Sequence, residues 1–127
     1  MKICISELTY NSFQELLDES LSLDDILLVN REGKLSRGEG HPEVVFVSYE
    51  IMFKILRDPA YKENFTQLIE GCKFIQSSWA GIESEAAQAL IKISDLFSHG
   101  GGVCMQSLSE LTYLLRFLEK LKTSMHT

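Results

Sequence analysis

Cysteine, proline and basic charge are all scarce in this sequence of 127 residues. The three cysteines, Cys4, Cys72 and Cys104, are odd in number and far apart. That does not fit a disulfide framework; it fits reduced, apolar-leaning residues of a cytoplasmic protein. Neither a CxxC nor an HxxxH spacing occurs, so the clustered ligands of a metal site are missing. Lys and Arg number 12 against 18 Asp and Glu, a net charge of -6. With no basic patch, a nucleic-acid or anionic-membrane surface is not expected. No apolar run reaches the ~18 residues of a membrane span. The start, MKICISELTY, has one Lys and then turns polar, unlike a secretion signal. A nucleophile elbow, a P-loop and a close Cys–His pair are absent as well. No catalytic residue and no metal ligand is therefore assigned.

What is present is a foldable core: 45% of the residues are hydrophobic and 24% charged, in a length that suits one domain. The chain alternates apolar strand runs with helical patterns. Residues 1–6 (MKICIS) read as a first strand. Ser12 and Glu15 have capping-box spacing and open an expected helix, in which Phe13, Leu16, Leu17 and Leu21 recur at helical intervals. Residues 25–29 (DILLV) are a second strand. The polar, Gly-bearing stretch 30–42 reads as a loop or an edge hairpin. Residues 43–48 (EVVFVS) form a third strand, continuous and β-branched as buried parallel strands are. Residues 49–57 are a short helix stopped by Asp58-Pro59, and 61–70 a second one ended by Gly71.

The stretch 71–84, GCKFIQSSWAGIES, organises the rest. It reads as a buried strand, then a turn over Ser77, Ser78, Trp79, Ala80 and Gly81, then a helix start at Ser84. Residues 84–93 are an Ala-rich helix, 94–98 a fifth strand, 100–102 a glycine loop and 108–122 a last helix. Strands alternating with helices imply an α/β fold with a parallel sheet and helices on both faces. Five strands with this spacing match the flavodoxin-like, doubly wound pattern, order 2-1-3-4-5. In such a sheet ligands bind outside the carboxyl ends of the strands, where the turn at 80–82 is expected. Free N–H groups there suit a carboxylate, although an ordinary strand-to-helix turn has the same residues.

Other chemistries of this fold find little support. A flavodoxin phosphate loop would follow the first strand, but residues 7–11 (ELTYN) contain no Gly and include an acid. Glu7 and Glu50 stand as lone acids where a receiver domain needs an acidic cluster. A G-x-G-x-x-G fingerprint nearly occurs at 100–105, but its third Gly is Met105. His99, just before that run, lacks a positioned partner, and His41 and His126 lie in polar segments.

Two segments resemble a known family. Residues 74–83, FIQSSWAGIE, are similar to the strand and loop W-I-Q-x-x-x-A-G-V-D of the D-isomer-specific 2-hydroxyacid dehydrogenases. Residues 99–110, HGGGVCMQSLSE, are similar to that family's N-x-x-G-V-x-x-x-x-V-A-E. Glu83, His99 and Ser109 depart from the pattern. The resemblance implies a flavodoxin-like substrate domain at 1–106 and an interdomain-type helix at 107–127. It implies that the loop amides at Ala80, Gly81 and Ile82 hold the carboxylate of a small 2-keto or 2-hydroxy acid. Ser48 and Tyr49 would line the pocket, with Met105 and Gln106 near the cofactor end of the cleft. In the family, NAD or NADP binds a following Rossmann domain, which also carries the catalytic Arg, Glu and His. None of these has a counterpart in 1–127, so the expectation is a truncated substrate-binding domain without a cofactor of its own. The alternative is a stand-alone interaction or regulatory module on the same fold. In the last helix Leu108, Leu111, Leu115 and Leu118 form one apolar stripe, widened by Leu114, Phe117 and Leu121. Left alone it would expose a large apolar patch, so a second copy of the chain is expected to cover it in a homodimer; the alternative is that the helix folds back onto its own sheet.

Overall fold

The computed structural model of the chain describes residues 1–77, 96–98 and 110–125. Its elements in order are β1 (Ile3–Ser6), α1 (Glu7–Ser12), α2 (Gln14–Ser20), β2 (Ile26–Val29), β3 (Leu35–Arg37) and β4 (Val44–Val47). Then follow α3 (Tyr49–Arg57), α4 (Pro59–Ile69), β5 (Phe74–Ser77), β6 (Leu96–Ser98) and α5 (Glu110–Met125). The expected helix at 84–93 and the glycine loop at 100–102 lie outside the described residues.

The strands form one mixed sheet of six in the order β3-β2-β1-β4-β5-β6. This corrects the expected five-stranded order 2-1-3-4-5, because β3 joins as an extra edge strand. It pairs antiparallel with β2, Leu28 against Arg37 and Val29 against Leu35, while the other pairs are parallel. The hairpin reads as a loop as readily as a strand pair because β3 is only three residues long and pairs with β2 at two positions. Asn30 builds its turn: its Oδ1 accepts from Glu32 N at 2.9 Å and Lys34 N at 3.1 Å, an Asx turn. Gly33 lies within the turn, its N–H donating to Asn30 O at 3.2 Å, and Gly38, just past β3, sits at φ +88°, where a Cβ would overlap the Leu27 side chain.

The strand residues divide between two cores. On one face Cys4, Val45, Val47 and Ile75 meet Ile51, Met52 and Ile55 of α3 and Tyr61, Phe65 and Ile69 of α4. On the other, Ile3, Ile5, Val44 and Phe46 meet Tyr10 of α1, Leu17 of α2 and Leu114, Phe117, Leu118 and Leu121 of α5. The alternation follows from the two-residue period of a strand. It places α3 and α4 on one face and α1, α2 and α5 on the other.

The first helix starts earlier than expected. Ser6, not Ser12, is the N-cap: its Oγ accepts from Thr9 N at 3.1 Å and donates to Thr9 Oγ1 at 3.0 Å. Residues 7–12 are therefore helical rather than a loop, and the chain turns into α2 at Phe13. On the opposite face Asp58 lies in extended backbone before Pro59, so α3 ends there. Asp58 Oδ1 then caps α4, accepting from Ala60 N at 3.1 Å and Tyr61 N at 3.2 Å. Gly71 follows α4 at φ +80°, the left-handed conformation of a helix stop.

Part of the expected apolar face of α5 rests on the chain's own sheet. Leu114, Phe117, Leu118 and Leu121 are buried, and the Phe117 ring lies 5.5 Å from Phe46 and 6.2 Å from Phe74. The chain itself covers these four residues, while Leu108 of the expected stripe lies outside the described residues. Leu115 is 47% exposed and faces away from this core.

Candidate functional site at the carboxyl edge of the sheet

In a parallel sheet all carboxyl ends of the strands open at one edge, and the helix N-termini that follow them converge there. Here that edge is formed by Ser6 after β1, Val29 of β2, Ser48 after β4 and Ser77 of β5. Pairing of β4 with β5 sets Val47 beside Ser77. The step from β4 into α3 therefore lies beside the point where the chain leaves β5 toward residues 80–82. Ser48 is buried and caps α3, its Oγ accepting from Ile51 N at 3.4 Å. Tyr49 is half-buried and begins α3. The structure thus brings Ser48 and Tyr49 to the edge where a ligand site was expected. Ala80, Gly81, Ile82, Met105, Gln106 and His99 lie outside the described residues.

Two buried polar residues end β5. Gln76 Oε1 accepts from Lys120 Nζ of α5 at 2.8 Å, and Gln76 Nε2 donates to Ser77 O at 3.0 Å. Lys120 Nζ also lies 5.5 Å from the Phe74 ring centroid. Partial burial, and then the neighbouring Arg116, lower the Lys120 pKa. These contacts tie α5 to β5 close to the edge. The sequence pattern did not single out Gln76 or Lys120, because their partnership spans 44 residues.

On the β1–β2 side of the same edge lies an open cleft of about 450 Å³. Glu7, Leu8 and Asn11 of α1, Val29, Asn30 and Arg31 at the end of β2, and Glu50 and Lys54 of α3 line it. Glu50 and Lys54 are four residues apart on one helix and so share a face. Glu50 Oε2 is buried and has no hydrogen-bond partner among the described residues. Its carboxyl pKa is raised, chiefly by burial; Lys54 and Arg31 oppose that and Glu7 adds to it. Lys54 Nζ donates to Arg31 O at 3.4 Å and lies 5.9 Å from the Tyr61 ring centroid. The sequence presented Glu7 and Glu50 only as separate acids. The fold collects them with Arg31 and Lys54. The available signals were Arg31 two residues past the second strand and the Glu50–Lys54 spacing.

Elsewhere, His41 is exposed and its Nδ1 lies 2.8 Å from Leu68 O, away from this edge. Among the described residues no three His, Cys, Asp or Glu are grouped to hold a metal ion. Also among them, no helix is long and apolar enough to cross a membrane. No protein-family model matches the chain, and no curated protein or solved structure gives a significant match.

Proposed function

We propose that the carboxyl edge between β4 and β5 binds small 2-keto and 2-hydroxy carboxylates. The chain then serves as a substrate-binding domain similar to that of the D-isomer-specific 2-hydroxyacid dehydrogenases. One observation carries this reading: the register of β4 with β5 puts Ser48 and Tyr49 beside the strand end that leads into Ala80-Gly81-Ile82. These are the segments that the resemblance assigns to the acid. The parallel strands also support it. With the antiparallel β3 set aside, they run β2-β1-β4-β5-β6, consistent with a flavodoxin-like, doubly wound sheet.

The chemistry expected of residues 1–127 is binding. Backbone N–H groups at 80–82 would donate to the carboxylate, and Ser48 and Tyr49 would shape the pocket. Hydride transfer in that family is supplied by NAD or NADP on a separate domain, with Met105 and Gln106 toward that side. Cys4 and Cys72 are buried, and burial followed by the neighbouring Cys72 pushes the Cys4 thiol well above its usual range. Inert reduced thiols of this kind suit the cytoplasm.

Glyoxylate, pyruvate and hydroxypyruvate should bind with dissociation constants on the order of millimolar, since such ligands have few atoms to contribute. Equilibrium titration by calorimetry or ligand-observed NMR measures this, with acetone as the uncharged control. Saturable binding of the acids but not of acetone supports the reading. No binding by any of the three acids overturns it and favours an interaction or regulatory module on this fold.

A further inference from the structure

We infer that the cleft at the ends of β1 and β2 is a separate binding site for a small zwitterion, an ammonium and a carboxylate on one short aliphatic frame. The inference does not depend on the β4–β5 site. The walls carry two acids, Glu7 and Glu50, and two bases, Arg31 and Lys54, so their formal charges cancel. A bare cation would face Arg31 and Lys54, and a bare anion would face Glu7 and Glu50. A ligand bearing both charges meets neither penalty.

The pairing follows from the atoms present. Glu50 Oε2 is shielded from water yet accepts no hydrogen bond from any described residue, an arrangement that is costly unless a donor arrives. An ammonium carries three N–H donors and a positive charge, and a charge-assisted bond to a carboxylate is among the stronger kinds. Arg31 and Lys54 then receive the ligand's carboxylate. Lys54 is one helical turn beyond Glu50, so the opposed groups are separated on the scale of a few bonds. The cleft volume of about 450 Å³ lies within the range of small-molecule sites and leaves room for a three- to four-carbon frame. Asn30 is held by its own turn, which fixes the wall from which Arg31 projects.

The test is a titration of the full 127-residue chain with glycine, β-alanine and γ-aminobutyrate, and separately with acetate and methylammonium, followed by backbone amide shifts. At least one zwitterion should saturate with shifts centred on Arg31, Glu50 and Lys54. Neither single-charge fragment should saturate at the same concentrations. Glu50→Gln and, independently, Lys54→Met should each weaken that zwitterion by about tenfold or more. Shifts remote from these three positions in the free variants should remain as in the parent, so that either variant serves if the other fails to fold. Three results would each overturn the proposal: no saturable zwitterion, equal binding of acetate alone, or zwitterion affinity unchanged in the variants. Equal acetate binding would instead identify a plain anion site.

Discussion

At the scale of single residues, two serines decide where the chain first turns. Ser12 has a Glu three positions on and looks like the cap, yet Ser6 does the capping. The reason is geometric: the edge of the sheet lies at Ser6, and β1 passes directly into α1 without a loop. A pattern in the sequence cannot show where a strand meets the edge of a sheet. Ser6→Ala should therefore cost about 1 kcal/mol of stability, and Ser12→Ala should stay within about 0.5 kcal/mol, as read from urea midpoints. Glu50 gives a pH signature. Its pKa is raised above the ordinary value of 4.5, so the folded chain holds that proton more tightly than the unfolded chain does. The stabilisation from protonation is present below 4.5 and is lost as pH rises through the raised value. Glu50→Gln cannot lose a proton there. It should be more stable than the parent at neutral pH, with the difference closing as pH falls below 4.5, in denaturation curves taken across that range.

At the scale of elements, periodicity was the most legible signal. Residues 49–57 form α3 with the expected bounds, because Ser48 and Asp58-Pro59 mark both ends. The apolar positions of the last helix were legible too, but their partner was not. A stripe states that a face is buried and does not say against what. The sheet covers it, through Phe46 and Phe74 around Phe117. Phe117→Ala should accordingly cost about 3–5 kcal/mol, whereas Leu115→Ala, at an exposed position, should stay within about 0.5 kcal/mol. Thermal or urea unfolding of the two variants distinguishes burial in the chain's own core from burial between copies. The β2–β3 hairpin escaped a firm reading because one of its determinants, the close approach of Gly38 to Leu27, is tertiary. Gly38→Ala would place a methyl group against buried Leu27 at a φ of +88°. It should lower stability by more than the ~1 kcal/mol of an ordinary Gly-to-Ala conformational mismatch.

At the scale of the whole molecule, alternation of strands and helices carried the fold class, and the added edge strand changed the sheet order. The carboxyl edge was legible as the place for a site, because parallel strands all end there. The particular side chains in the charged cleft were not, because α1, the β2 turn and α3 meet only in the folded chain. The proposed site for a small carboxylate is the edge between β4 and β5. Mapping the amide shifts caused by saturating glyoxylate tests it most directly. The largest changes should fall at Ser48, Tyr49, Ser77 and residues 78–83. Changes centred on the opposite edge, at the amino ends of β1 and β4 around Lys2 and Glu43, would contradict it.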